Sequence, residues 1–153
     1  MREIILLGLN HITAPVELRE CLAFSPAETD AALEQLRSHP SVAEVLLFST
    51  CNRVEILLTS DQREKGVQAA KEFLSAFKKL PLVDFQQALY VLTGDEAVRH
   101  LFQVAAGLDS MILGEPQILG QIKSAYVSAT AKKTSGVVLN RLLHRAFFIA
   151  KRI

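Results

Sequence analysis

Ser49-Thr50-Cys51-Asn52-Arg53 is a polar break between two apolar runs, Val42 to Phe48 and Val54 to Leu58. A cysteine in such a break is held by the rigid elements on either side and still reaches solvent, which is the setting a nucleophile needs. The thiolate is the reactive form, and a free thiol with a pKa of about 8.5 is mostly protonated at neutral pH unless a cation or helix terminus lowers it. Arg53, two residues on, is a candidate cation. A lone cysteine among apolar residues also packs as a small hydrophobe, and the break alone does not choose between the two roles. Cys21, in Glu17-Leu18-Arg19-Glu20-Cys21-Leu22, reads as core packing. Two cysteines and four scattered histidines make neither a disulfide framework nor the spacing of a metal site.

The elements that must position Cys51 are bounded by length and composition. The chain has 153 residues, half of them hydrophobic, enough for one core or for one domain with an appended helical segment. No run approaches the roughly 18 apolar residues of a membrane span, and the amino terminus lacks a signal-peptide layout, so a cytoplasmic protein is expected. The net charge of +1 hides an asymmetry: residues 116–153 hold seven of the 17 Lys and Arg and none of the 16 Asp and Glu. A basic last quarter suits a polyanion such as RNA, and solvated helix faces account for the same charges.

Read in order, Ile4 to Leu9 is a short, continuously apolar run, which predicts a strand covered on both faces. Asn10-His11-Ile12-Thr13-Ala14-Pro15 then forms a loop that could line a cleft. Ser25-Pro26-Ala27-Glu28 is a capping box with proline at the first helical position. Leu33 and Leu36 supply that helix's apolar side. The two runs around Cys51 predict strands. Asp61 to Glu64 opens a second helix carrying Val67, Ala70, Phe73, Leu74 and Phe77, and Ala88 to Leu92 reads as a fourth strand. Strand, helix, strand, strand, helix, strand is the α+β, ferredoxin-like βαββαβ split sheet, expected over residues 1–93, with C-terminal helices over 94–153. Of these helices, one is capped by Thr93-Gly94-Asp95-Glu96, one spans Gln117 to Ala131, and a last one runs to Ile153. That last helix shows no stop signal, the pattern expected of a chain cut from something longer.

Three segments together resemble the amino-terminal catalytic domain of glutamyl-tRNA reductase: Gly8 to Pro15, Ser49 to Glu55, and Ala106 to Ser110 continuing through Gly114-Glu115-Pro116-Gln117-Ile118-Leu119-Gly120-Gln121. The likeness spans nearly the whole chain, including Leu139-Asn140-Arg141-Leu142 and Ala150-Lys151-Arg152. The resemblance implies reduction of the glutamyl group of glutamyl-tRNA to glutamate-1-semialdehyde with NADPH, the entry to tetrapyrrole synthesis by way of 5-aminolevulinate. It implies that Cys51 takes the glutamyl group as a thioester, that Arg53 holds the substrate, and that Thr50, Asn52, Ser110, Glu115, Pro116, Gln117 and Gln121 occupy the remaining substrate positions. His100 matches a histidine important for activity in the family, with a polarising or proton-transfer role. His11 is a secondary candidate that shapes the pocket, and His39 and His144 read as surface residues.

The full enzyme of this family is a homodimer with an NADPH-binding domain and a dimerisation domain. Glutamate-1-semialdehyde aminomutase is a candidate partner for its product, and neither a metal nor a membrane is implied. Here the glycines at 107, 114 and 120 are too widely spaced for Gly-x-Gly-x-x-Gly, so this chain is expected to capture the glutamyl group without reducing it. Two other readings stay open: an RNA recognition module of the same strand order, which stacks bases on central aromatics, and a cysteine hydrolase pairing Cys51 with His100. If the basic quarter meets RNA phosphates, neutralising two of Lys123, Lys132, Lys133, Arg141 and Arg145 will weaken tRNA binding and flatten its salt dependence. An unchanged salt slope in a filter-binding titration leaves only solvated helix faces.

Overall fold

The computed structural model describes residues 2–107 and 117–152. Four strands, β1 (Glu3–Asn10), β2 (Glu44–Ser49), β3 (Arg53–Ser60) and β4 (Tyr90–Thr93), form one sheet in the order β2-β3-β1-β4. Every neighbouring pair is antiparallel. Helices α1 (Val16–Leu22), α2 (Pro26–Ser38) and α3 (Arg63–Lys78) lie between strands in the chain, and α4 (Asp95–Ala105), α5 (Gln117–Ala131) and α6 (Val137–Ala150) follow the last strand. The protein is a mixed α/β fold built on a four-stranded antiparallel sheet.

Side chains alternate across a strand, so contacts assign each helix to a face. Gly66 of α3 sits against Ile5 and Ser60 so closely that an added Cβ would lie 3.0 Å from one and 2.8 Å from the other. On the opposite face, α4 brings His100 to Glu55, and the start of α6 meets Glu44. Ile5, Leu7 and Leu58 are buried beneath the first layer, Leu6, Leu46 and Leu57 beneath the second. Covering both faces is why these strands read as unbroken apolar runs rather than as alternating ones.

The end of α2 and the start of β2 are joined by a turn in which Val42 N–H donates to the His39 carbonyl, so β2 begins at Glu44 rather than Val42. Two 3₁₀ turns, Leu82–Asp84 and Gln86–Ala88, precede the fourth strand, so Ala88, expected to open it, closes the second turn and β4 starts at Tyr90. A short helix, α1, occupies residues to which the sequence reading gave no element; Leu18 and Leu22, four apart, give it an inner side, and Cys21, expected to be core packing, is exposed. The capping box at Ser25 forms as the sequence predicts. The one expected at Asp61 does not: α3 has Gln62 at its cap with no side-chain bond, and Ser60 Oγ instead accepts from Gln62 N–H. At α4 the cap is Gly94 with φ of 58°. Only a residue tolerant of positive φ makes that turn while donating its N–H to the Ile4 carbonyl. α6 stops at Ala150, with Lys151 and Arg152 in a turn.

Polar residues buried inside the sheet are satisfied one by one. Glu44 is 2 % exposed and accepts from Gly136 N–H at 2.7 Å, Leu139 N–H at 2.9 Å and Thr59 Oγ at 3.0 Å. A strand carboxylate thereby caps α6, where the free N–H groups and the helix dipole favour negative charge. Thr134 closes part of the free edge of β2, accepting Val45 N–H through its carbonyl and donating Oγ–H to the Val45 carbonyl. Glu44→Ala leaves two helix N–H groups and a hydroxyl without their acceptor, and an expected loss of roughly 1–3 kcal/mol is measurable as a lowered urea midpoint at unchanged slope.

Candidate active site

The Cys51 turn joins β2 to β3. Thr50 N–H donates to the Arg53 carbonyl at 2.8 Å, and Thr50 Oγ accepts from Asn52 N–H at 3.1 Å. Arg19 of α1 reaches the same turn from outside, its Nη1 donating to the Cys51 carbonyl at 3.1 Å and lying 3.4 Å from Asn52 Oδ1. With its main chain tied at these points, Cys51 is exposed. It is a presented thiol, and the packed-hydrophobe alternative is excluded by position.

Arg53 opens β3 on the face beneath α4, and Asn10 is its register partner on β1. The Asn10 side chain accepts from Ile12 N–H at 2.9 Å and Thr13 N–H at 3.2 Å. That arrangement folds the loop carrying His11 back at the same end of the sheet as Cys51. Arg53 is 1 % exposed, with Nη1 3.4 Å from Glu55 Oε2. The sequence presented Arg53 as a cation beside the thiol; in the fold it is paired with a buried carboxylate.

Glu55 is the residue that the sequence reading missed. It sits in a row across three other strands, opposite Phe48 on β2 and Gly8 on β1, with Gly8 in turn opposite Tyr90 on β4. A Cβ at Gly8 would lie 2.5 Å from the Val54 carbonyl oxygen and 2.8 Å from Glu55 Cγ. The missing side chain opens a channel across β1 through which Tyr90 Oη donates to Glu55 Oε2 at 2.6 Å. His100, on α4 above, directs Nε2 at the same oxygen, and its ring lies 5.4 Å from that of Tyr90. Glu55 therefore gathers Arg53, Tyr90 and His100. The signal available in the sequence was a glutamate inside an otherwise apolar run, since a carboxylate in a covered strand needs partners.

Burial works to raise the Glu55 pKa, but the hydrogen bond and positive charge of His100, the charge of Arg53 and the Tyr90 hydroxyl together outweigh it and hold the carboxyl below the ordinary glutamate value. His100 Nε2 is committed to Glu55, so this geometry does not pair that nitrogen with Cys51 as a thiol–imidazole dyad would require. The sheet face that an RNA recognition module would leave open is covered by α4, α5 and α6, with Leu6 at 1 % and Leu57 at 2 % exposure.

Thr50, Cys51, Asn52 and Arg53 share one turn, and His100 joins them through Glu55. Gln121 lies on α5, lining a groove that also contains Ser49. Ser110, Glu115 and Pro116 lie outside the described residues. Gln117 begins α5. Among the described residues no cluster of three or more His, Cys, Asp or Glu is placed to hold a metal, and no helix is long and apolar enough to cross a membrane.

Because the folded-state pKa of Glu55 is depressed, its stabilising contribution is present above the unfolded value of about 4.3 and is lost as pH falls through the folded value. Glu55→Gln is expected to unfold more easily by roughly 1–3 kcal/mol at neutral pH. The gap to the unmodified chain should close as the pH falls through the depressed folded-state value. Urea titrations at several pH values check this, and a gap independent of pH refutes the charged network.

Comparison with known proteins identifies the family. The family model described as glutamyl-tRNAGlu reductase, N-terminal domain, matches residues 7–153. The glutamyl-tRNA reductase of Desulfatibacillum aliphaticivorans is 55% identical over 151 residues, covering 99% of this chain and 35% of that protein. That of Geotalea daltonii is 49% identical over 150 residues, covering 98% and 35%. The solved structure of glutamyl-tRNA reductase from Methanopyrus kandleri superposes with a TM-score of 0.78 at 31% identity, covering 97% of this chain and 33% of that one. The chain thus spans about a third of the length of the relatives it matches. On the strength of the family match and these identities, this chain belongs to the glutamyl-tRNA reductase family and corresponds to its N-terminal domain.

Proposed function

We propose that this chain accepts the glutamyl group of glutamyl-tRNA on Cys51. The observation that carries the reading is the exposed thiol in a turn tied down by Thr50, Arg53 and Arg19, at the sheet end where the Arg53–Glu55–His100 network is buried. The Cys51 thiolate attacks the ester carbonyl carbon. A C–S bond forms, the C–O bond to the tRNA ribose breaks, and the ribose oxygen leaves with a proton. A thioester carbonyl is more readily attacked than an ester, so one difficult step becomes two easier ones. Arg53 binds the glutamyl side-chain carboxylate, for which a guanidinium offers two parallel hydrogen bonds. Thr50, Asn52, Ser110, Glu115, Pro116, Gln117 and Gln121 provide the other contacts to the amino group and reacting carbonyl. His100, oriented by Glu55, serves the proton transfer or polarises the carbonyl.

NADPH supplies hydride in the reaction that the family name describes. No Gly-x-Gly-x-x-Gly stretch occurs in this sequence, so its residues do not fit that cofactor, and reduction is not assigned to this chain. The strand order and uniformly antiparallel pairing support placing residues 1–93 in the ferredoxin-like split βαβ class, with residues 94–153 as the helical layer that completes one catalytic unit. The tRNA is the partner, drawn to the basic last quarter. A homodimer and hand-over to an aminomutase belong to the whole enzyme under the same reading.

Incubated with glutamyl-tRNA, the chain is expected to gain one glutamyl mass on the peptide containing Cys51 and to release glutamate slowly. Cys51→Ser should abolish both. Retained release by Cys51→Ser, or semialdehyde formation when NADPH is added, overturns the reading.

A further inference from the structure

Among the described residues, Arg19 bonds to nothing but the Cys51 turn. Glu17 and Glu20 stand beside it on α1, yet no carboxylate pairs with its guanidinium. Its Nε–H is enclosed and has no acceptor. Leaving a buried donor unsatisfied and ordering a long side chain both cost free energy. Two bonds to a surface turn, at 3.1 and 3.4 Å, return little of it. A placement that stability alone does not explain points to a role at the turn.

The fold carries Arg19 there. Seven residues, with Pro15 at the cap and no side-chain cap bond, make α1 too short to stand by itself. Leu22 is fully buried and Leu18 packs on the core, which fixes the helix's rotation. At its end Lys78 Nζ donates to the Ala23 carbonyl, and Phe24 N–H donates to Ser49 Oγ at 3.0 Å. The helix is thereby tied to the strand that enters the thiol turn.

Arg19 Nη1 carries two hydrogens and serves two acceptors, the Cys51 carbonyl and Asn52 Oδ1. Asn52 N–H donates to Thr50 Oγ at 3.1 Å, so the peptide unit between Cys51 and Asn52 is held at its oxygen by Arg19 and at its nitrogen by Thr50. The contact to Oδ1 also decides which way the Asn52 amide points. Oxygen and nitrogen occupy opposite arms of a planar amide, so its NH₂ is directed away from Arg19 and has no partner among the described residues. A donor one residue from the thiol is suited to take up negative charge on a carbonyl oxygen as a nucleophile adds.

We propose that Arg19 is a positioning residue for acyl transfer, setting the Asn52 amide so that its NH₂ donates to the glutamyl carbonyl oxygen while the Cys51 sulfur adds to the carbonyl carbon. The proposal rests on Cys51 being the acyl acceptor. As the C–S bond forms, the carbonyl π pair moves onto oxygen, against the Asn52 N–H. The pair returns as the C–O bond to the ribose breaks, and the proton lost by the thiol ends on the ribose oxygen.

The test follows single-turnover acylation by glutamyl-tRNA, read by mass spectrometry of the Cys51 peptide, beside alkylation of the same thiol by iodoacetamide, which builds no charge on a carbonyl oxygen. Asn52→Ala should slow acylation at saturating donor about 100- to 1,000-fold, the scale of one lost oxyanion donor, with the half-saturating concentration and the alkylation rate unchanged. Arg19→Met should slow it about tenfold or more, the scale of a misplaced group, and Arg19→Lys should recover most of the loss. Combining Arg19→Met with Asn52→Ala should cost no more than Asn52→Ala alone, because Arg19 acts through that amide. Losses that multiply in the double variant overturn the proposal, as does equal slowing of acylation and alkylation by Arg19→Met, the mark of a merely structural tie. No acylation of the unmodified chain, with alkylation intact, sinks the reading of Cys51 itself and the role of Arg19 with it.

Discussion

A buried carboxylate governs this site. Glu55 sits in the middle of the sheet, and every charged or polar side chain near it is placed by its need for partners. Arg53 comes from its own strand, Tyr90 from a strand two places away, and His100 from a helix on the face above. The arrangement depends on Gly8, because any side chain there would meet Glu55 and the Val54 carbonyl before Tyr90 could reach across. Removing one member leaves an uncompensated buried charge, which makes the group act as a unit and fixes His100 and Arg53 relative to the sheet.

Covering the sheet on both faces decides where chemistry can happen. With α2 and α3 on one side and α4, α5 and α6 on the other, the described residues cover both faces, and access is left to the ends of strands and to the edges at β2 and β4. Cys51 lies at such an end, on the shortest connection in the sheet, where two strands and Arg19 restrain its main chain. A side chain on a restrained turn loses little freedom when a ligand arrives, which is the entropic advantage of a rigid support.

The same economy of partners recurs at Glu44, where a strand carboxylate caps α6 and ties it to the sheet face that α4 also covers. The C-terminal helices are therefore part of the fold's interior. Leu139, Leu142, Leu143 and Ala146 of α6 are buried, while its basic residues face outward. Charge segregation along the sequence thus becomes segregation between the inner and outer sides of helices.

Much was legible from residue order alone. The covered strands followed from unbroken apolar runs, the Ser25 cap from its box, and the turn carrying Cys51 from its polar break, because these are local patterns whose physics acts within a few residues. Helix α1 was missed because seven residues carry too little periodicity. The fourth strand was placed two residues early because 3₁₀ turns and strands share the same short apolar signature. Only tertiary structure decided that Arg53 would lie buried against Glu55, that Gly8 would open the way for Tyr90, and that Ser49 and Gln121 would line one groove. Glu55 and Tyr90 are 35 positions apart and His100 is 45 from Glu55; strand register and helix packing bring them together, and a linear pattern carries no record of which distant side chain will satisfy a buried charge.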